Sequence, residues 1–152
     1  GVVMSILGTI LGGVAVARLG TNRSLVLGSL LVIGSNLLFM TLAFQETPSL
    51  AGLAMVVSAD NLAMGVAGTA LIAYLSSLTS ATYTATQYAL FSSVYALPGK
   101  LLMGTSGFVV DAVGYPWFFV YTSSLGLPAL VMLYFLGTKA RQDRAAAGAD
   151  LR

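Results

Sequence analysis

Long apolar runs separated by short polar breaks make up almost the whole chain. The runs cover roughly residues 1–17, 24–44, 49–78, 87–110 and 117–136. A helix needs about 20 mostly apolar residues to cross a bilayer, within a range of about 17–25. The pattern therefore predicts an all-α integral membrane fold with about five transmembrane helices. The third run is long enough to tilt or to extend past the bilayer. The breaks are a turn from Arg18 to Arg23, the loop Gln45-Glu46-Thr47-Pro48, a Ser/Thr-rich connection at 79–86, and a turn from Asp111 to Pro116. This divides the chain into a membrane region, 1–137, and a tail, 138–152, that is basic and then Ala-rich. The tail reads as disordered or as a short surface helix, with no chemistry of its own.

Small residues mark where helices come close. Gly8 and Gly12 form a GxxxG pair in the first run, a spacing that lets two backbones approach. Gly65 and Gly68 repeat the theme in the third run. In the fourth, Pro98 and Gly99 stand directly before Lys100. Proline removes a backbone donor and glycine is permissive, so a kink is expected there. Tyr115, Trp117, Phe118 and Phe119 open the fifth run and suit an aromatic belt at a membrane interface.

Composition narrows the function. Of 152 residues, 57% are hydrophobic and 8% are charged, against about 25% charged in a soluble domain. Mean hydropathy is +0.90. A net charge of +2 is too small to argue for nucleic acid as a partner. Cysteine and histidine are both missing, which removes disulfides, thiolate chemistry and His-based metal or acid–base sites. No phosphate-binding G-x-x-x-x-G-K-[ST] and no HExxH occurs. Neither an enzyme, nor ATP-driven transport, nor a cofactor is expected. Residue 1 is not methionine and no basic leader precedes the first run, so the chain reads as part of a longer protein.

Against this background two charges stand out, Asp60 in the third run and Lys100 in the fourth. A charge at the bilayer centre costs about 2.5–3.5 kcal/mol on insertion scales, so each is a functional candidate. Both lie about ten residues from the same side of the membrane, at a depth of roughly 15 Å. Consecutive antiparallel helices could bring them together or into one cavity. Lys100 shares a helix face with Ala89, Ser93, Ala96, Met103, Gly104 and Gly107, while Phe91, Leu102 and Val109 lie opposite. Small residues pack and large ones meet lipid, so Lys100 is expected to point inward. The pair serves either transport or, as a buried salt bridge, helix packing alone. Asn61 either binds substrate or bonds to a neighbouring helix. Gln87 sits near the opposite mouth, on the pathway or at the interface.

The chain resembles the AmpG-type muropeptide permeases of the major facilitator superfamily, the group that also holds acetyl-CoA transporters. The resemblance rests on the acid–Asn pair Asp60-Asn61, on Gly65 and Gly68-Thr69-Ala70, and on SATYTATQYALFSS from Ser80 to Ser93. The acid is often Glu in relatives, and Lys100 stands where Arg is familiar. The resemblance implies the last five helices of a twelve-helix transporter, in a major-facilitator-type C-terminal half. The second and fifth runs would be peripheral, and the third and fourth would line the cavity. It further implies proton-coupled import of anhydro-muropeptides across the bacterial inner membrane, in cell-wall recycling linked to β-lactamase induction. The implied partners are a muropeptide-like small molecule, protons, the lipid bilayer and the N-terminal half of the same transporter. The alternatives are a facilitator for acetyl-CoA, a sugar or a peptide, and a five-span accessory protein without transport.

Charge also sets topology. Arg18 and Arg23 flank the first turn and Lys139, Arg141, Arg144 and Arg152 lie in the tail, whereas the loops with Glu46 and Asp111 carry no base. By the positive-inside rule the first turn, the connection at 79–86 and the C-terminus are cytoplasmic. Cysteines placed at Thr21, Thr82 and Ala146 are therefore expected to resist an impermeant thiol reagent added to intact cells, and those at Thr47 and Ala112 to react. Labelling at Thr82 but not at Thr47 would invert the topology.

Overall fold

The computed structural model describes residues 1–45, 47, 49–79 and 84–149. Glu46, Pro48, the centre of the Ser/Thr-rich connection at 80–83 and the chain end at 150–152 lie outside the described residues. Among the described residues the chain forms four helices and no strand: α1 (Val2–Leu19), α2 (Thr21–Ala43), α3 (Leu50–Ser77) and α4 (Thr84–Ala149). All four are long and apolar enough to cross a membrane.

The count of four differs from five because the predicted turn at 111–116 shrinks to one residue. Gly114 is the one non-helical residue inside α4, at φ 78° and ψ 162°. It divides α4 into a first arm, 84–113, and a second arm, 115–149, which correspond to the fourth and fifth predicted spans. Gly20, between α1 and α2, has nearly the same geometry, φ 82° and ψ 163°. Only glycine adopts this backbone region readily. Pro116 falls in the first turn of the second arm, where its missing N–H breaks no helical bond. At Pro98-Gly99, where the sequence predicts a kink, the backbone dihedrals stay helical, and the break in helical dihedrals falls at Gly114. In the tail, residues 138–149 continue the second arm as helix. Its alanines and long polar side chains have high helix propensity.

The helices pack mainly along α3. α1 lies beside it and runs the same way, and α2 lies on its other flank and runs the opposite way. The second arm of α4 packs antiparallel on α2, so the order is α1, α3, α2, second arm. Contact between α1 and α2 is slight, and α4 barely touches α3.

Glycine brings these backbones together. A Cβ on Gly8 would strike the Leu62 carbonyl, and one on Gly12 would lie 3.0 Å from the Val66 Cα. From the other side, a Cβ on Gly65 would lie 2.6 Å from the Ser5 carbonyl oxygen. Gly28 seats α2 in the same way, 2.7 Å from the Ala67 Cα. Gly8, Gly12 and Gly65 thus sit at close backbone contacts. Gly68 does not, since nothing lies within 4 Å of its Cβ position, and Gly99 is equally open. On the α2–α4 seam Phe39 stacks on Phe119 with centroids 5.2 Å apart. Phe119 therefore serves packing, whereas Tyr115 and Trp117 remain exposed as a belt requires.

The contrast between Gly65 and Gly68 is measurable. Gly65→Ala is expected to lower stability by about 1–3 kcal/mol through overpacking. Gly68→Ala is expected to be neutral or stabilising by up to about 1 kcal/mol, as at an open helix position. Reversible unfolding of the full-length protein in detergent micelles reads both.

Candidate functional site

Asp60 and Asn61 lie on the central helix, about ten residues or roughly 15 Å from its start. Successive helix residues diverge by about 100°, so adjacent side chains reach different neighbours. Asp60 turns to α2, where Ser35 Oγ donates to its Oδ1 at 2.8 Å. Asn61 turns to α1, where Ser5 Oγ donates to its Oδ1 at 3.0 Å. The Asn61 amide donates in turn to the Val57 carbonyl at 2.7 Å, one turn back on α3. One acid–amide pair thereby ties together three membrane helices at mid-depth. Asp60 and Asn61 are half-buried, whereas Ser35 is only 3% exposed. No buried side-chain nitrogen or oxygen among the described residues lacks a partner.

A second polar link joins α2 to the second arm. Asn36 donates to the Val32 carbonyl at 3.1 Å, and Thr122 Oγ1 lies 3.5 Å from Asn36 Oδ1. Gly126 packs against Ile33 on the same seam. Ser35 and Asn36 thus repeat on α2 what Asp60 and Asn61 do on α3, with neighbouring residues reaching opposite helices.

Lys100 is not brought to Asp60. It is exposed on the first arm, and no ion pair joins it to an acid among the described residues. The physical reason is that the first arm barely packs on α3. Its small-residue face is open here, with nothing within 4 Å of the Cβ positions of Gly104 and Gly107. Gln87 lies half-buried near the start of the same arm. The described residues hold no group of three or more acids, cysteines or histidines that could bind a metal.

An open apolar groove of about 340 Å³ runs between α1, α2 and α3. Leu11, Leu27, Leu31 and Leu62 line it, with Arg18 at one end. None of Asp60, Asn61, Gln87 or Lys100 reaches it, so the groove is not the candidate site. Sequence reasoning missed Ser5 and Ser35, the direct partners of Asn61 and Asp60. A lone serine in an apolar run is too common to single out, and only the helix register shows which carbonyl or carboxylate it meets.

Known proteins are similar to this chain. A transporter named AmpG 4 from Rickettsia conorii is 32% identical over 139 residues, covering 91% of this chain and 33% of that protein. An uncharacterized protein of Haemophilus influenzae is 36% identical over 145 residues, covering 91% and 34%. The anhydromuropeptide permease of Escherichia coli K12 is 29% identical over 134 residues, covering 88% and 27%. The chain spans about a third of the length of the curated relatives it matches. No family model and no solved structure matches it. The resemblance read from Asp60-Asn61 and the motifs that follow holds along most of the chain, and this multi-pass membrane protein is similar to the AmpG-type permeases.

Proposed function

We propose that the chain supplies five helical segments of a proton-coupled secondary transporter that imports anhydro-muropeptides across the bacterial inner membrane, for cell-wall recycling. The observation that carries the reading is a lone carboxyl group at mid-depth, hydrogen-bonded across to a neighbouring helix. The names of the relatives supply the substrate class. In this reading Asp60 takes up and releases the coupling proton. Asn61, tied to α1, holds that level of the bundle in register and offers an amide to the cavity.

Lys100 has a separate role. An ammonium group facing hydrocarbon is costly, so the open small-residue face of the first arm abuts protein or a water-filled cavity. There Lys100 meets an anionic group of the substrate, such as a peptide carboxylate. The remaining two thirds of the transporter supply the facing wall, because facilitator sites lie near the midplane between two halves.

The test is uptake of a labelled anhydro-muropeptide into vesicles holding the full-length protein, with and without a proton gradient. Asp60→Asn is expected to abolish gradient-driven accumulation while counterflow exchange of substrate persists. Lys100→Met is expected to raise KM by about tenfold or more, the loss of one hydrogen bond to a charged group. Lys100→Arg, which keeps the charge, is expected to recover most of the affinity. Normal gradient-driven uptake in Asp60→Asn would remove Asp60 as the proton carrier.

A further inference from the structure

The Ser35 hydroxyl has one proton and two acceptors in reach. Its oxygen lies 2.8 Å from Asp60 Oδ1 and 2.9 Å from the Val32 carbonyl oxygen. A serine hydroxyl donates once and accepts twice, so it serves only one of these contacts as donor at a time. Two complete arrangements follow. With Asp60 ionised, Ser35 donates to the carboxylate. With Asp60 protonated, the carboxyl O–H donates to Ser35 Oγ, and the Ser35 hydroxyl turns to the Val32 carbonyl. The Ser35 hydroxyl and the Asp60 oxygen facing it are paired in both, and no heavy atom has to move. The pairing matters because Ser35 is 3% exposed, and an unpaired polar group in a dry contact carries its full desolvation penalty.

We infer that Ser35 is a positioning residue for Asp60: its hydroxyl swings between Asp60 and Val32, so the carboxyl group gains or loses a proton without opening the α2–α3 contact. The proton taken up resides on Asp60, and Ser35 keeps its own throughout. No other described group competes for this role. On α1, Arg18 lies about 20 Å along the helix from the level of Ser5, and on α2, Arg23 lies about 18 Å from Ser35. On α3 itself Asn61 is engaged by Ser5. Lys100 and Asp111 are exposed on the first arm and pair with nothing charged among the described residues. The inference rests on the reading of Asp60 as the proton carrier.

The two arrangements are not equally strong. A hydrogen bond to an ionised group is roughly twice as strong as one between neutral groups. Removing the hydroxyl therefore costs the ionised carboxylate more than the protonated acid. The experiment is infrared difference spectroscopy of the full-length protein in vesicles across a pH series. The protonated-carboxyl band of Asp60 is identified by its loss in Asp60→Asn. Ser35→Ala, a smaller side chain that the contact holds without strain, is expected to shift the frequency of that band, because the protonated carboxyl loses Ser35 Oγ as its acceptor. Gradient-driven uptake is expected to fall with it. Ser35→Thr, which keeps the hydroxyl, is expected to restore both. An Asp60 band that titrates but keeps its frequency in Ser35→Ala would overturn the role of Ser35 and leave Asp60 as the carrier. An Asp60 carboxyl that never titrates while uptake stays gradient-dependent would overturn the carrier reading, and this inference with it.

Discussion

A carboxyl group midway along a membrane helix has to find its hydrogen bonds inside the protein, because hydrocarbon offers none. That requirement shapes the bundle. Asp60 cannot face lipid, so α3 takes a central place with a helix on each flank. Ser35 from α2 meets the acid, and Ser5 from α1 meets the adjacent amide. The polar level is also the level at which a transported proton would have to pause, so the element that organises packing carries the proposed chemistry.

Hydrogen bonds alone do not hold such helices at the right distance. Lipid tails are as apolar as leucine, so apolar burial gives little drive for helices to associate in a bilayer. Close backbone approach gives the contact instead. Gly8, Gly12 and Gly65 interlock α1 with α3, and Gly28 seats α2 on Ala67. These contacts bring Ser5 and Ser35 within hydrogen-bonding range of α3. A methyl group at any of these sites would push the helices apart and lengthen the polar bonds with them. Packing and the polar site are therefore one arrangement.

The first arm of α4 stands outside that arrangement. It touches α3 slightly and leaves Lys100 and the small residues around it open. The second arm is anchored on α2 through Phe119, Thr122 and Gly126. Gly114 joins an anchored arm to an open one. This separation keeps Lys100 on the first arm apart from Asp60, which is engaged by Ser35.

The apolar runs determined the all-α membrane fold, because a bilayer admits few other ways to satisfy a backbone. They also located the helix ends to within a few residues, except the last, which runs on to Ala149, and charge scarcity singled out Asp60 and Lys100. GxxxG spacing marked Gly8 and Gly12 as candidates for close approach. Residue type alone could not separate Gly65 from Gly68, which occupy different sides of α3. The break at Gly114 was legible as a turn, but not as a single residue, since Pro98-Gly99 carries the stronger local signal. Tertiary structure alone decided that Asp60 meets Ser35 rather than Lys100. Depth along a helix follows from counting residues, whereas the partner of a side chain depends on which helix lies beside it and in what register. That is set by backbone contacts between segments far apart in the chain.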